Sequence, residues 1–428
     1  MNAHAEPPKS FISPQLSIRF NLIREVLCLF FFLLTAFVLT KPAEASDYQV
    51  LGEETEVIDL FIGELHLTET VVQDGPLPIN RFTMTRLRRP NVPHKGVLLL
   101  LPSLGNNFGM YLFDEGGNIS NSFAAVFARL GYDVWGYSPR TTGIAPGACY
   151  GGGLDCTPAL EWGIQTIVDD VGFIRSQIET AAPGESPVVG GLSLGALSGI
   201  AVVNQSPDDY AGLLAWEGSL VSDDPAVQAH NQVFCGQFGG LVNAGLPVDD
   251  QSLPFVKLVS QLAEVAPNDP FALPAPLPPG LTNHQAFVFI LSTPNPIAPS
   301  PRPGFVTATG DFIADQLFFS DDARLMANIA VFNDATSNRL NQDFHCALAG
   351  TDTTHTANLA NFSAPLMIIK AGQGFGSVMD ELPGKVSSTS VTTIAAENFG
   401  HVDHLGSPYH WFLLEIPIAK WLKTVAQQ

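Results

Sequence analysis

Val188-Val189-Gly190-Gly191-Leu192-Ser193-Leu194-Gly195-Ala196 decides how the rest of the chain is read. Residues 188–192 form a short apolar run of strand type, and residues 194–204 read as a small-residue helix. Ser193 therefore stands on a tight strand-to-helix turn with its hydroxyl exposed. Glycine two positions before it and two after make room for a strained backbone there. The first turn of the helix aims free N–H groups at whatever the hydroxyl attacks. The bare Gly-x-Ser-x-Gly spacing recurs by chance; the strand before it and the helix after it make it specific. The bland alternative is a Gly/Ser-rich turn with no chemistry.

Outward from this turn, strands and helices alternate. Residues 58–66 and 80–87 are expected as an opening pair of strands. Residues 96–101, Gly-Val-Leu-Leu-Leu-Leu, are continuously apolar, as suits a strand buried on both faces. Residues 121–130 are expected as a helix stopped by Gly131, 132–137 as a strand, 159–180 as a long helix and 212–216 as a strand. The rhythm then breaks. Between Pro267 and Pro303 the chain carries 11 prolines, a density that excludes regular helix or central strand. Residues 218–362 are read as an inserted cap, with helical flanks near 254–266 and 311–332. Strands at 364–370 and 392–396 and a closing helix at 408–425 complete a mainly parallel α/β sheet flanked by helices. The expected division is a core at 46–217 and 363–428 around the cap.

At the Ser193 turn, and from roughly Asn80 onward outside the cap, the chain resembles the α/β-hydrolase superfamily in its serine esterase and lipase branch. The resemblance implies a nucleophile at Ser193 and a histidine base in the loop before the last helix. That loop reads Asn398-Phe399-Gly400-His401-Val402-Asp403-His404, which points to His401, with His404 as its competitor. His401-x-Asp403 is similar to the acid lipases. Asp403 itself reads as a helix cap, with orientation of the histidine loop as the alternative. His410 reads as structural.

The family's acid usually follows the strand that here is 364–370. That strand runs instead into Ala371-Gly372-Gln373-Gly374, and Asp380 comes several residues late. A second family solution places the acid at the end of the preceding strand, where Glu217 stands, 24 residues after Ser193. Glu217 is the preferred acid and Asp380 the alternative. Glu217 would fix the imidazole tautomer; its bland reading is a surface or capping acid. The oxyanion donors implied are the backbone N–H groups of Leu194 and Leu104. Here Pro102-Ser103 replaces the His-Gly that family members often carry.

The bulk properties fit this reading. The chain has 428 residues and is 46% hydrophobic, enough for a sizeable core. Its formal charge of −21 excludes nucleic acid as a natural partner, because phosphate contacts need a Lys/Arg surface. Lys9, Arg19 and Arg24 precede an apolar run at 26–40, followed by Ala43-Glu44-Ala45. The run is short for a spanning helix and matches a signal peptide at residues 1–45, so a secreted or periplasmic chain is expected. An uncleaved membrane anchor is the alternative. Cys28 lacks the preceding small residue of a lipoprotein site.

Four cysteines remain, and export favours the pairs Cys149–Cys156 and Cys235–Cys346, with free thiols as the alternative. His345 and His355 with Asp343 and Asp352 match no structural zinc spacing, so no metal and no cofactor are expected. Asp169-Asp170 is expected on the solvent face of the long helix, and Trp135 in the core. Eight cap phenylalanines (234, 238, 255, 271, 287, 289, 305 and 312) either wall an apolar pocket or form the cap's own core. The expected activity is hydrolysis of a small-molecule carboxylic ester, apolar or lipid-like, through an acyl-enzyme. The alternatives are an amidase, peptidase or acyltransferase on the same scaffold, or a silent binding protein.

Overall fold

The structure, a computed structural model, describes residues 48–426 apart from 61–62, 113–118, 274–276, 293–305, 309–316 and 318. The expected leader at 1–45, much of the proline-rich stretch, Phe305, Phe312 and the start of the helix expected from Asp311 lie outside the described residues.

Eleven strands are described: β1 (Tyr48–Leu60), β2 (Gly63–Asp74), β3 (Arg81–Arg88), β4 (Val97–Leu101), β5 (Asp133–Ser138), β6 (Val188–Leu192), β7 (Gly212–Trp216), β8 (Val248–Asp249), β9 (Thr336–Ser337), β10 (Leu366–Ala371) and β11 (Val391–Ala396). Nine of them form one sheet in the order β1-β2-β3-β5-β4-β6-β7-β10-β11. The pairs from β1 to β5 are antiparallel, and those from β5 through β4 to β11 are parallel. β8 and β9 make a separate short ribbon.

The central strands are apolar throughout because both faces of the sheet are covered. Leu99, Leu101, Val189, Leu213 and Ile368 belong to the core on one face. Their neighbours Leu98, Leu100, Val188, Leu214 and Ile369 belong to the core on the other. The period of two thus divides one apolar run between two cores. The helices that cover these faces include α1 (Phe123–Leu130), α2 (Ile164–Ala181) and α3 (Leu194–Gln205). α1 begins where the Ser122 hydroxyl accepts from Ala125 N at 3.2 Å and ends at Gly131, φ 100°.

Between β7 and β10 the chain inserts α4 (Pro225–Asn243), α5 (Ser252–Val265), α6 (Asn283–Ser292), α7 (Asp322–Ala330) and α8 (Asn338–Leu348). α5, α6 and α7 share their own apolar cluster, which takes in Phe255, Phe271, Phe287 and Phe289. α8 is different: Leu340, Phe344 and Leu348 pack into the main core. Asp343 of α8 also accepts from Ile164 N at 3.0 Å, capping α2, whose own N-cap is the bare Gly163. The insertion is therefore rooted in the sheet's core through α8. The chain closes with α9 (Ile416–Val425).

Several local expectations need correction, first the exclusion of helix between Pro267 and Pro303, for α6 forms over Asn283–Ser292, where the chain carries no proline. Residues 58–66 are not one strand, for the chain reverses between Leu60 and Gly63 to form the β1–β2 hairpin. The helix expected at 159–180 starts at Ile164, after a 3₁₀ turn over Thr157–Glu161. The helix expected at 311–332 is described only as Asp322–Ala330, begun by the Asp321 cap. The closing helix is preceded by a π-helical turn at Trp411–Glu415. Asp170 does not face solvent. It is fully buried, paired with Arg140 at 2.6 Å and hydrogen-bonded by Tyr137 and Tyr48. Burial disfavours its charged form, and Arg140 offsets that. Trp135 is buried as expected, with the Arg86 guanidinium 5.0 Å from its ring centre.

The structure joins Cys149 to Cys156 and Cys235 to Cys346, at sequence separations of 7 and 111. The second bridge ties α4 to α8. Loop-closure entropy makes it the larger contributor, roughly 5 kcal/mol against roughly 2.5 kcal/mol for the short loop. Cys235→Ser/Cys346→Ser is therefore expected to lower the urea midpoint more than Cys149→Ser/Cys156→Ser does. Equal midpoints would contradict this.

Candidate active site

The strand-to-helix turn holds Ser193 at φ 58°, ψ −117°, a left-handed backbone that serine rarely adopts. Close packing imposes it. A Cβ on Gly191 would lie 2.1 Å from the Leu101 carbonyl oxygen, and one on Gly195 would lie 2.0 Å from the same atom. Both glycines are thus dictated by one neighbouring carbonyl at the end of β4. Tyr111, buried beneath the turn, donates to Leu101 O at 2.9 Å and accepts from Leu192 N at 2.8 Å. Burial pushes the Tyr111 phenol well above its ordinary range, so it stays protonated. Ser193 N donates to Trp216 O at 2.7 Å, which locks the turn to the end of β7.

Glu217 follows Trp216 directly, and it too has a positive φ, 52°. Its N–H donates to Ile369 O at 2.8 Å. The carboxylate is fully buried. Oε1 accepts from Ala371 N, and Oε2 accepts from Phe375 N at 2.8 Å. Oε2 also lies 3.2 Å from His401 Nδ1. An ionised carboxylate can only accept, so His401 carries its proton on Nδ1. That leaves Nε2 as the basic nitrogen.

Of the residues named from the sequence, Ser193, His401, Leu104 and Leu194 line one cavity of about 360 Å³. Glu217 stands directly behind His401. Leu194 opens α3, and its N–H and that of Gly195 come before the first bond of the turn, Ala196 N to Ser193 O at 2.9 Å. Leu104 sits in a turn closed by Asn106 N to Ser103 O at 3.0 Å. The insertion holds this turn: Asn333 N donates to Gly105 O at 2.7 Å, and Asn333 Nδ2 donates to Asn106 O at 3.0 Å.

Asp380 is not brought to the site. Its side chain is exposed and pairs with Lys370 at 2.5 Å. His404 is buried, and neither ring nitrogen has a hydrogen-bond partner among the described residues. His410 contacts Glu415 beside the closing helix. Asp403 is not the cap expected of it, for Val402 occupies that position. It is fully buried, accepting from Gly400 N at 2.6 Å and Thr307 N at 2.9 Å on Oδ2, and from the Ser320 hydroxyl at 2.6 Å on Oδ1. It ties the histidine loop to the insertion.

The sequence reading missed Tyr111, Asn333 and Gly374. A Cβ on Gly374 would lie 2.2 Å from Glu217 Oε2 and 2.9 Å from His401 Cα. The Gly372-Gln373-Gly374 run, noted only for lacking an acid, was the available signal. Among the phenylalanines, Phe234 and Phe238 wall the cavity. Among the described residues no group of three or more His, Cys, Asp or Glu side chains converges as a metal site, and no helix is long and apolar enough to cross a membrane.

Two expectations follow. Gly374→Ala must displace either the acid or the histidine, and a shift of about 1 Å is worth about 10²-fold in rate. Its kcat should fall by that order while circular dichroism stays native. Separately, burial pushes His404 down to about 4 from its ordinary 6.5, with the nearby His401 acting in the same direction. Below pH 6.5 the unfolded chain takes up a proton that the fold excludes. The folded state therefore loses up to ~1.4 kcal/mol per pH unit as pH falls from 6.5 toward 4. His404→Phe should flatten this part of the stability–pH curve; an unchanged slope would refute the assignment.

No protein-family model and no curated protein matches the chain. Solved structures do match it. A "putative lipase" from Sulfolobus solfataricus superposes with a TM-score of 0.59 at 13% identity, covering 87% of this chain and 99% of its own. A monoacylglycerol lipase from Paleococcus ferrophilus gives 0.45 at 14% identity, covering 80% and 99%. A thermophilic esterase from Thermogutta terrifontis gives 0.45 at 12% identity, covering 84% and 99%. The chain has the α/β-hydrolase fold.

Proposed function

We propose that the protein is a serine hydrolase that cleaves carboxylic esters through an acyl-enzyme. The observation that carries this reading is the buried Glu217–His401 contact, with His401 sharing one cavity with a strained Ser193. In this reading Ser193 Oγ attacks the carbonyl carbon while His401 Nε2 takes its proton. Glu217 holds the Nδ1–H and stabilises the imidazolium. The N–H groups of Leu104 and Leu194 receive the developing oxyanion. His401 then gives its proton to the leaving alcohol, and water reverses the sequence to free the acid. The likeness in fold to a lipase supports the hydrolase class. The apolar lining of the cavity, with Leu197, Phe234, Phe238, Leu253 and Ile329, supports hydrophobic or lipid-like esters.

The insertion serves as the cap in this reading. Its α4 and α8 supply one wall of the cavity and α5–α7 the other. Two disulfides support an oxidising compartment, and with the sequence of residues 1–45 they support export.

The test is hydrolysis of short- and long-chain p-nitrophenyl esters. Ser193→Ala is expected to lose about 10⁴-fold or more in kcat, and Glu217→Gln about 10²- to 10⁴-fold. Asp380→Asn should retain the parent rate. An inactive parent protein that also resists fluorophosphonate labelling at Ser193 would defeat the reading.

A further inference from the structure

The cavity wall made by α4 and α8 carries a polar feature that the reaction above does not use. Asn341 and His345 lie one helical turn apart on α8, so they share a face, and both line the cavity. The His345 ring is held from several sides. Phe234 stacks on it at 5.1 Å and Phe238 at 5.5 Å, with interplanar angles of 22° and 10°. Phe344 contacts it at 4.2 Å. His345 Nδ1 lies 2.7 Å from Asn231 Oδ1, and Asn231 Nδ2 donates to Val227 O at 2.8 Å. Asn231 Oδ1 is therefore the acceptor, and the imidazole proton sits on Nδ1. The Cys235–Cys346 bridge pins α4 to α8 at the next residue.

This arrangement leaves two acceptors without donors. His345 Nε2 has no hydrogen-bond partner among the described residues. Asn341 Nδ2 donates to Ser337 O at 3.1 Å, and Asn341 Oδ1 likewise receives no bond among those residues. Burial lowers the His345 pKa to about 3, so the ring stays neutral at working pH. Both residues line the cavity, so a bound chain that covers them without donating leaves the acceptors unmet, at about 1–3 kcal/mol each. A ligand group that donates a hydrogen bond removes that cost. An ammonium is a poor fit. Among the described residues the one carboxylate lining the cavity, Asp249, already accepts from Gln251 N, Ser252 N and the Ser252 hydroxyl. A neutral donor fits better.

We propose that the α4–α8 wall selects substrates whose chain carries a hydroxyl group, which donates to His345 Nε2 with Asn341 Oδ1 as second acceptor. The inference rests on the ester-hydrolase reading, since it places an ester chain in this cavity. His345 is a specificity residue and takes no part in proton transfer at Ser193. The tautomer held by Asn231 is what makes the site selective: with the proton fixed on Nδ1, the ring offers the cavity only a lone pair.

The test uses two matched series: ethyl esters of medium-chain hydroxy acids, and acetate half-esters of medium-chain diols, each beside its deoxy partner. Rates come from acid release in a pH-stat. At one hydroxyl position in one series, the parent protein should prefer the hydroxylated ester by about tenfold in kcat/KM. His345→Phe, which keeps the aromatic stack, should abolish that preference, read as the ratio of kcat/KM for the hydroxylated and deoxy esters within the variant. Asn341→Leu should reduce it, and stands in if His345→Phe fails to fold. Calorimetric titration with the diols and the matching mono-alcohols reads the same contact without chemistry. Ester cleavage with no hydroxyl preference at any position, or a preference that survives both substitutions, overturns the proposal and leaves the ester reading intact. Tighter diol binding that depends on His345, with no ester cleaved, upholds the hydroxyl site and overturns the ester reading.

Discussion

The Leu101 carbonyl oxygen, wedged between Gly191 and Gly195, is the contact on which the rest of the site depends. It lets the end of β4 approach the β6–α3 turn more closely than any side chain would allow. The approach forces the backbone of Ser193 into a strained region, and the surrounding packing holds it there. Tyr111 seals the contact from below by bridging Leu101 and Leu192. Ser193 N and Glu217 N then pass the constraint sideways to Trp216 and Ile369. Four adjacent strand ends are thereby fixed against one another. The candidate acid and the candidate oxyanion loop extend from those ends, and the loop of the candidate base His401 leaves the next strand, β11.

The insertion is fastened to both sides of this platform. Asn333 hydrogen-bonds the turn that carries Leu104. Asp403 joins the loop of His401 to Thr307 and Ser320, and Phe319 stacks on Phe399 at 4.5 Å. Asp321 N adds a bond to Gly406 O at 2.9 Å. Any movement of the insertion thus acts on the candidate oxyanion donor and the histidine together. Asn333 and Asp403, which anchor these joints, are buried, so their cost is offset only while their partners are in place.

The parallel half of the sheet was legible because both of its faces are buried, which writes a continuous apolar run at each strand. Ser193 was legible because the turn demands glycine at fixed offsets. Glu217 was harder, for its signal was only a position at a strand end; what identifies its surroundings is the packing of Gly374, a contact with no periodicity. The β1–β2 pairing was missed because residues 58–66 carry Gly63 as their one Gly or Pro turn signal between two strand-like runs. Asp170 was misread because a helix surface is judged one helix at a time. Its partners Arg140, Tyr137 and Tyr48 lie 30, 33 and 122 residues away in sequence. Asn333 and Asp403 act across similar distances and leave no local trace.

The bridge between Cys235 and Cys346 closes a covalent ring around most of the insertion. The proline-rich stretch, with α6 inside it, lies wholly within that ring. A single backbone cut between the two cysteines therefore opens the ring without dividing the molecule, and α4 and α8 stay joined over the cavity. Proteolytic wear in this region would release no fragment until a second cut or a reductant followed.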